Sequence, residues 1–201
     1  MKTFDYAIDG IFPVPVYYSF DVKKFTKAEL TAVNNHKKNC YGNVGNITSN
    51  NTYVLNTKSF QQLKSTLTRH INEYFQKVYM TKKKDLKLYI TKNNEFHHLH
   101  SHQNSFVSGV IYIKADPEFD SIVLERRQPL ENILMNPHTY GLFNSAQWNY
   151  KIKTGMLILF PSTTPHSVKT KKDNNERISL AFNTYIKGTL GDTKSLTELI
   201  L

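Results

Sequence analysis

Four of the eight histidines of this chain fall within six residues, in Glu95-Phe-His-His-Leu-His-Ser-His102. Imidazole is a ligand for iron, zinc, copper and nickel, so a cluster of this kind raises metal chemistry before any other. Side chains on a strand alternate faces with a period of two. On a strand, His98, His100 and His102 share one face and His97 points away. Two imidazoles at i and i+2 can meet one ion if a third ligand comes from a neighbouring strand; alone, they are equally a polar ladder on an exposed face.

A third histidine stands in a suitable place. The apolar run Gly155-Met-Leu-Ile-Leu-Phe160 ends in Pro161-Ser-Thr-Thr-Pro165-His166. A histidine that follows a proline-punctuated turn and opens the next strand is placed to look into the mouth of a barrel. Arg177 follows eleven positions later and opens Arg177-Ile-Ser179-Leu-Ala-Phe-Asn183. Arg177 and Ser179 share a strand face. A guanidinium fork with a hydroxyl beside it can hold a carboxylate by two charge-assisted bonds and a third from the hydroxyl.

These groups need strands to carry them. Candidate strands run over 86–91, 95–102, 106–115, 121–126, 147–153, 155–160, 165–170 and 177–185, separated by turn residues such as Asn93-Asn94, Asp116-Pro117 and Thr154-Gly155. Residues 127–146 read as a long loop with a partial strand. The front half is different. Phe60, Leu63, Leu67, Ile71, Phe75 and Val78 recur at steps of three and four, which predicts an amphipathic helix over 57–79 with Asn56 or Thr57 as its cap. A short helix is expected at 24–35. Residues 40–52, rich in Asn, Gly, Ser and Thr, read as a loop. Pro13 and Pro15 confine residues 11–20 to an edge strand or a lead-in segment. Eight short strands behind a helix-rich front predict a mainly β fold, a sandwich or jelly roll buttressed by helices.

The chain has 201 residues, which suits a single domain over 1–201 with a helix-rich buttress at about 20–80 and a β-core at about 85–187. No run approaches the ~18 apolar residues of a membrane span. No signal peptide is read at the N-terminus, and the single cysteine, Cys40, cannot form an internal disulfide. A reducing cytoplasm is expected. The formal net charge is +10. The basic runs Lys82–Lys84, Arg126-Arg127 and Lys169/Lys171/Lys172 lie apart, without interleaved aromatics, and read first as solvated surface. Nucleic acid is not excluded as a partner, and sheet edges leave a homodimer open.

Taken together, the blocks resemble the iron(II)- and 2-oxoglutarate-dependent oxygenases, most closely a phage and bacterial subgroup. The subgroup's His-x-His…Asn-Ser-x-x-Ser-Gly-Val-x-Tyr block stands here as His100-Ser-His102-Gln-Asn104-Ser105-Phe-Val-Ser108-Gly109-Val110-Ile-Tyr112. Its later blocks stand at 157–168 and 177–183, in order and at matching spacing. The resemblance implies a double-stranded β-helix, another name for a jelly-roll core. It implies His100, His102 and His166 as Fe(II) ligands, and Arg177 and Ser179 as the clamp on the far carboxylate of 2-oxoglutarate, with Tyr112 reaching the same group. Two departures stand out. Position 102 is histidine where most of the superfamily has Asp or Glu, which leaves the metal face more positive by one unit. Gln103 replaces a proline. The expected activity is hydroxylation of a protein side chain or small molecule coupled to decarboxylation of 2-oxoglutarate. The rivals are a three-histidine dioxygenase of cupin type, to which a carboxylate clamp is of no use, and a catalytically silent metal- or ligand-binding protein on the same scaffold, such as a phage component. Between His98 and His102 as the second ligand, the spacing alone does not choose.

Overall fold

The computed structural model describes residues 7–43, 46–79, 87–90, 99–127, 136–168 and 176–201. Its centre is a five-stranded antiparallel sheet. The strands are β1 (Tyr17–Ser19), β4 (Lys87–Ile90), β5 (Val107–Lys114), β8 (Leu157–Pro161) and β10 (Ile178–Lys187), in the order β1-β8-β5-β10-β4. A three-stranded sheet faces it, made of β6 (Ser121–Glu125), β7 (Gln147–Lys151) and β9 (His166–Val168), in the order β7-β6-β9. The mainly β, jelly-roll expectation is met.

The strand period of two divides the side chains of the larger sheet cleanly. Ile111, Leu157, Leu159, Leu180 and Phe182 point outward to the helices. Tyr112, Ile158 and Phe160 point inward, where Ile122 and Leu124 of the small sheet meet them. The outer face is covered by α2 (Gln61–Tyr79), whose Leu63, Leu67 and Ile71 are buried at the periodic positions expected. Tyr74 adds a tether: its hydroxyl donates to the Pro15 carbonyl at 3.1 Å. Beside α2 lies α1 (Lys27–Lys37), closed at its start by a reciprocal Thr26–Glu29 capping box.

Several boundaries differ from the sequence expectation. Residues 40–52 are not simply a loop. They contain a hairpin of β2 (Cys40–Asn43) and β3 (Asn46–Ser49), whose polar residues satisfy each other through the backbone ladder. The long helix begins as α-helix at Gln61, after a 3₁₀ turn at Lys58–Phe60, and Thr57 does not cap it: its hydroxyl donates backward to the Val54 carbonyl. Within the expected strand 95–102, residues 99–102 hold only an isolated bridge, His100 to His166, and 91–98 lie outside the described residues. Pro13 and Pro15 belong to a lead-in segment ahead of β1, which is an edge strand. Among the described residues of 127–146 no strand forms, and 128–135 lie outside them. Two short strands, β11 (Thr189–Leu190) and β12 (Leu199–Ile200), pair at the C-terminal end.

One glycine is fixed by packing. A Cβ at Gly109 in β5 would collide with Phe182 Cζ and lie 2.7 Å from Leu159 Cδ2. Both neighbours are fully buried core rings and branches, so neither can swing away. Gly109→Ala is expected to destabilise the fold by ~1–3 kcal/mol, read as a lower urea midpoint with an unchanged slope.

Candidate metal and carboxylate site

At one end of the two sheets the chain passes from β8 to β9 through Pro161–Pro165. His166 opens β9, and Pro165 and the preceding turn fix where it starts: Thr164 N–H donates to the Pro161 carbonyl at 2.9 Å. The backbones of His100 and His166 exchange two hydrogen bonds, of 3.1 and 2.9 Å. His102 N–H donates to the Ser162 carbonyl at 2.9 Å. These three backbone attachments bring the imidazoles together without a regular strand at 99–102. The ring centroids stand 4.8 Å apart for His100–His102, 4.2 Å for His100–His166 and 5.2 Å for His102–His166. One ligand nitrogen from each lies within 4.8 Å of the others. His97 and His98 lie outside the described residues.

The donor chemistry fits a divalent transition metal. A metal takes the neutral imidazole, and the surroundings keep two of the rings neutral. Burial, with His100 beside it, pushes His102 down to about 4. Burial also pushes His166 down to about 3, against the opposing hydrogen bond to Thr164 and with the help of the other two histidines. His166 Nδ1 lies 3.1 Å from the Thr164 carbonyl. A carbonyl only accepts, so Nδ1 carries the proton and Nε2 keeps its lone pair for a ligand. Phe160 packs against the same ring at 4.7 Å between centroids.

The cavity beyond the histidines is lined by the inner face of β5 and β10. Ser179 stands opposite Tyr112, Ala181 opposite Val110 and Asn183 opposite Ser108. Arg177 and Ser179 line the cavity together with Tyr112 and all three histidines. A register shift between Ile178 and Ser179 sits beside Arg177, the kind of irregularity that re-aims a side chain at a site. All six residues expected from the sequence therefore face one cavity.

Two features were not anticipated. Arg177 Nη1 donates to Asp120 Oδ1 at 3.1 Å, and Asp120 is buried just ahead of β6. The other carboxylate oxygen of Asp120 accepts the Asp116 N–H at 2.9 Å. Asp120 thus anchors the guanidinium through Nη1. The second is a run of polar side chains, half-buried at Ser105 and buried at Ser162, Ser108 and Asn183, leading from the sheet to His102. The sequence blocks contain all four, without a sign of what they do.

The family model described as "Putative 2OG-Fe(II) oxygenase" matches residues 85–183. Among solved structures, an oxidoreductase of the 2OG-Fe(II) oxygenase family from Burkholderia pseudomallei is similar at 13% identity, with a TM-score of 0.52 over 85% of this chain and 84% of that one. A prolyl-4-hydroxylase from Pseudomonas putida is 13% identical, with a TM-score of 0.47 over 86% of this chain and 87% of that one. No curated protein sequence matches. Among the described residues, no helix is long and apolar enough to cross a membrane.

Proposed function

We propose, for a chain whose residues 85–183 belong to the 2OG-Fe(II) oxygenase family, that His100, His102 and His166 hold Fe(II) and that Arg177 and Ser179 hold 2-oxoglutarate in the coupled hydroxylation of a second, organic substrate. The family brings iron and 2-oxoglutarate as the cofactor and cosubstrate of the enzyme. When bound, they supply the oxidation: 2-oxoglutarate and O₂ become succinate and CO₂, and one oxygen atom enters a C–H bond of the substrate. The observation that carries the reading is the convergence of three imidazoles and an arginine–serine pair on one cavity.

The residues divide the work by their chemistry. The three histidines would hold the ion through neutral nitrogen donors. Arg177 offers charge-assisted bonds to a carboxylate at a distance from the histidines, and the Ser179 hydroxyl adds a neutral donor. Tyr112, opposite Ser179 and buried, offers a phenol toward the same place. The apolar walls, Phe160 and Ile122 among them, keep water from competing.

Asp120 answers a question that the histidine at position 102 raises. A face of two histidines and a carboxylate carries a charge of −1, whereas three neutral imidazoles carry none. Here a carboxylate is still present, not on the histidine face but paired with Arg177, which lines the cavity. Fe(II), the 2-oxoglutarate dianion, Arg177 and Asp120 then sum to zero, as they would with a carboxylate on the metal and no partner for the arginine. The clamp also argues against a cupin-type dioxygenase, since that chemistry binds no keto acid.

The test is an anaerobic visible spectrum. Metal-free protein given Fe(II) and then 2-oxoglutarate is expected to develop the charge-transfer band of a chelated keto acid. Oxygen should then release succinate, slowly without substrate. No band at saturating concentrations of both sinks the reading and leaves a structural metal site or none.

A further inference from the structure

We infer that Asn183, backed by Ser108, Ser162 and Ser105, is a positioning residue that fixes the protonation of His102, holding the proton on Nδ1 and leaving Nε2 for the metal. The inference rests on His102 being a ligand of the proposed centre. Ser162 is fully buried, Ser108 is 2% and Asn183 6% exposed, so their polar atoms depend on one another for hydrogen bonds. Ser105 Oγ lies 2.7 Å from Ser162 Oγ, and Ser162 Oγ lies 2.8 Å from Ser108 Oγ. Ser108 Oγ lies 2.7 Å from Asn183 Oδ1, and Asn183 Nδ2 lies 3.3 Å from His102 Nδ1. At the other end, Ser105 Oγ donates to the Thr184 carbonyl at 3.1 Å.

The direction of this string decides which nitrogen of His102 carries the proton. With the amide NH₂ toward the ring, Nδ1 must accept and the proton moves to Nε2, the nitrogen that a ligand needs bare. An amide has the same outline when its oxygen and nitrogen are exchanged. Exchanged, His102 Nδ1–H donates to the Asn183 oxygen and the Asn183 NH₂ donates to Ser108. Ser108 then donates to Ser162, Ser162 to Ser105, and Ser105 to the Thr184 carbonyl. Each hydroxyl donates once and accepts once, and the string ends on an atom that can only accept. In the opposite sense the Ser105 hydroxyl turns to Ser162, the Thr184 carbonyl loses it, and Ser105 accepts from no other member of the string.

His166 has the same arrangement in a simpler form, with the Thr164 carbonyl as its acceptor. A buried acceptor behind a ligating imidazole sets its orientation and raises its basicity, and losing one costs ~10–100-fold in metal affinity. For His102 the acceptor is an amide side chain, so it needs the serines behind it to hold its oxygen toward the ring.

The first measurement needs no mutation. Two-bond ¹⁵N–¹H correlation spectra of labelled, metal-free protein at neutral pH report the imidazole tautomers, with His102 assigned through loss of its signals in His102→Gln. A pyrrole-type Nδ1 and pyridine-type Nε2 are expected; the reverse pattern overturns the inference. Asn183→Leu is then expected to shift His102 toward the Nε2–H form and to weaken Co(II) binding ~10–100-fold. Asn183→Asp, an acceptor of the same size, should restore the Nδ1–H form and most of the affinity. Asn183→Leu that keeps both the Nδ1–H tautomer and wild-type Co(II) affinity would also overturn it. Failure of the wild-type protein to bind Co(II) would count against the metal centre instead, and the metal-free spectrum would still decide the string.

Discussion

His166→Ala is expected to lose Fe(II) affinity by at least about 100-fold and to give no keto-acid band at any practical concentration of 2-oxoglutarate. The expectation follows from position as well as type. His166 is the most buried of the three histidines, and its Nδ1 is committed to the Thr164 carbonyl, which fixes the lone pair that remains. Altering only the groups behind a ligand costs ~10–100-fold, so removing the ligand itself costs no less. The two remaining imidazoles come from one short segment and cannot close a three-point face. The fold should persist, because the pairing of residues 166 and 100 is made by backbone atoms. Isothermal titration with Fe(II) under nitrogen measures the affinity, and a circular dichroism melt confirms the fold. Wild-type affinity in this variant would remove His166 from the ligand set.

Arg177→Ala is expected to show two losses at once, and Arg177→Lys to separate them. The Arg177–Asp120 pair has side-chain exposures of 10% and 0%. Deleting the cation leaves a buried carboxylate uncompensated, at ~3–5 kcal/mol of stability. The same deletion removes the proposed partner of the 2-oxoglutarate carboxylate. Truncating one side of a buried charged pair costs ~2–5 kcal/mol in binding, so the dissociation constant should rise about 30-fold or more. Lysine retains the charge that Asp120 needs but not the fork that serves Asp120 and a second carboxylate together. Arg177→Lys should therefore melt near the wild-type temperature while binding 2-oxoglutarate more weakly. The readouts are denaturant midpoints and titration of the keto-acid band. Unchanged 2-oxoglutarate affinity in both variants would reduce Arg177 to a structural role.

The candidate site residues are legible because their types are rare in combination and their blocks keep an order. Strand periodicity explains their convergence only in part. A period-two strand through 95–102 was expected to align His100 and His102, whereas a single bridge and one bond to the Ser162 carbonyl align them. Such attachments join residues some sixty positions apart and leave no local pattern. Asp120 was invisible for the same reason: its partner lies 57 residues away, and an aspartate after Glu118-Phe119 looks like any turn residue. The core helix was legible because a 3.6-residue period survives without tertiary knowledge, as Leu63, Leu67 and Ile71 show. The hairpin at 40–49 was not, because Cys40-Tyr-Gly-Asn43 and Asn46-Ile-Thr-Ser49 lack the apolar alternation that marks a strand.

The passage from Pro161 to His166 leaves the five-stranded sheet and joins the three-stranded one. His100 is pinned to the second of these through His166, while His102 is pinned to the end of the first through Ser162. The spacing of the nitrogen donors is thus the spacing of the two sheets at this mouth. An ion seated there acts as a clasp. Whatever prises the sheets apart would loosen the ion, and a bound ion would hold them together, by the same free energy in either direction.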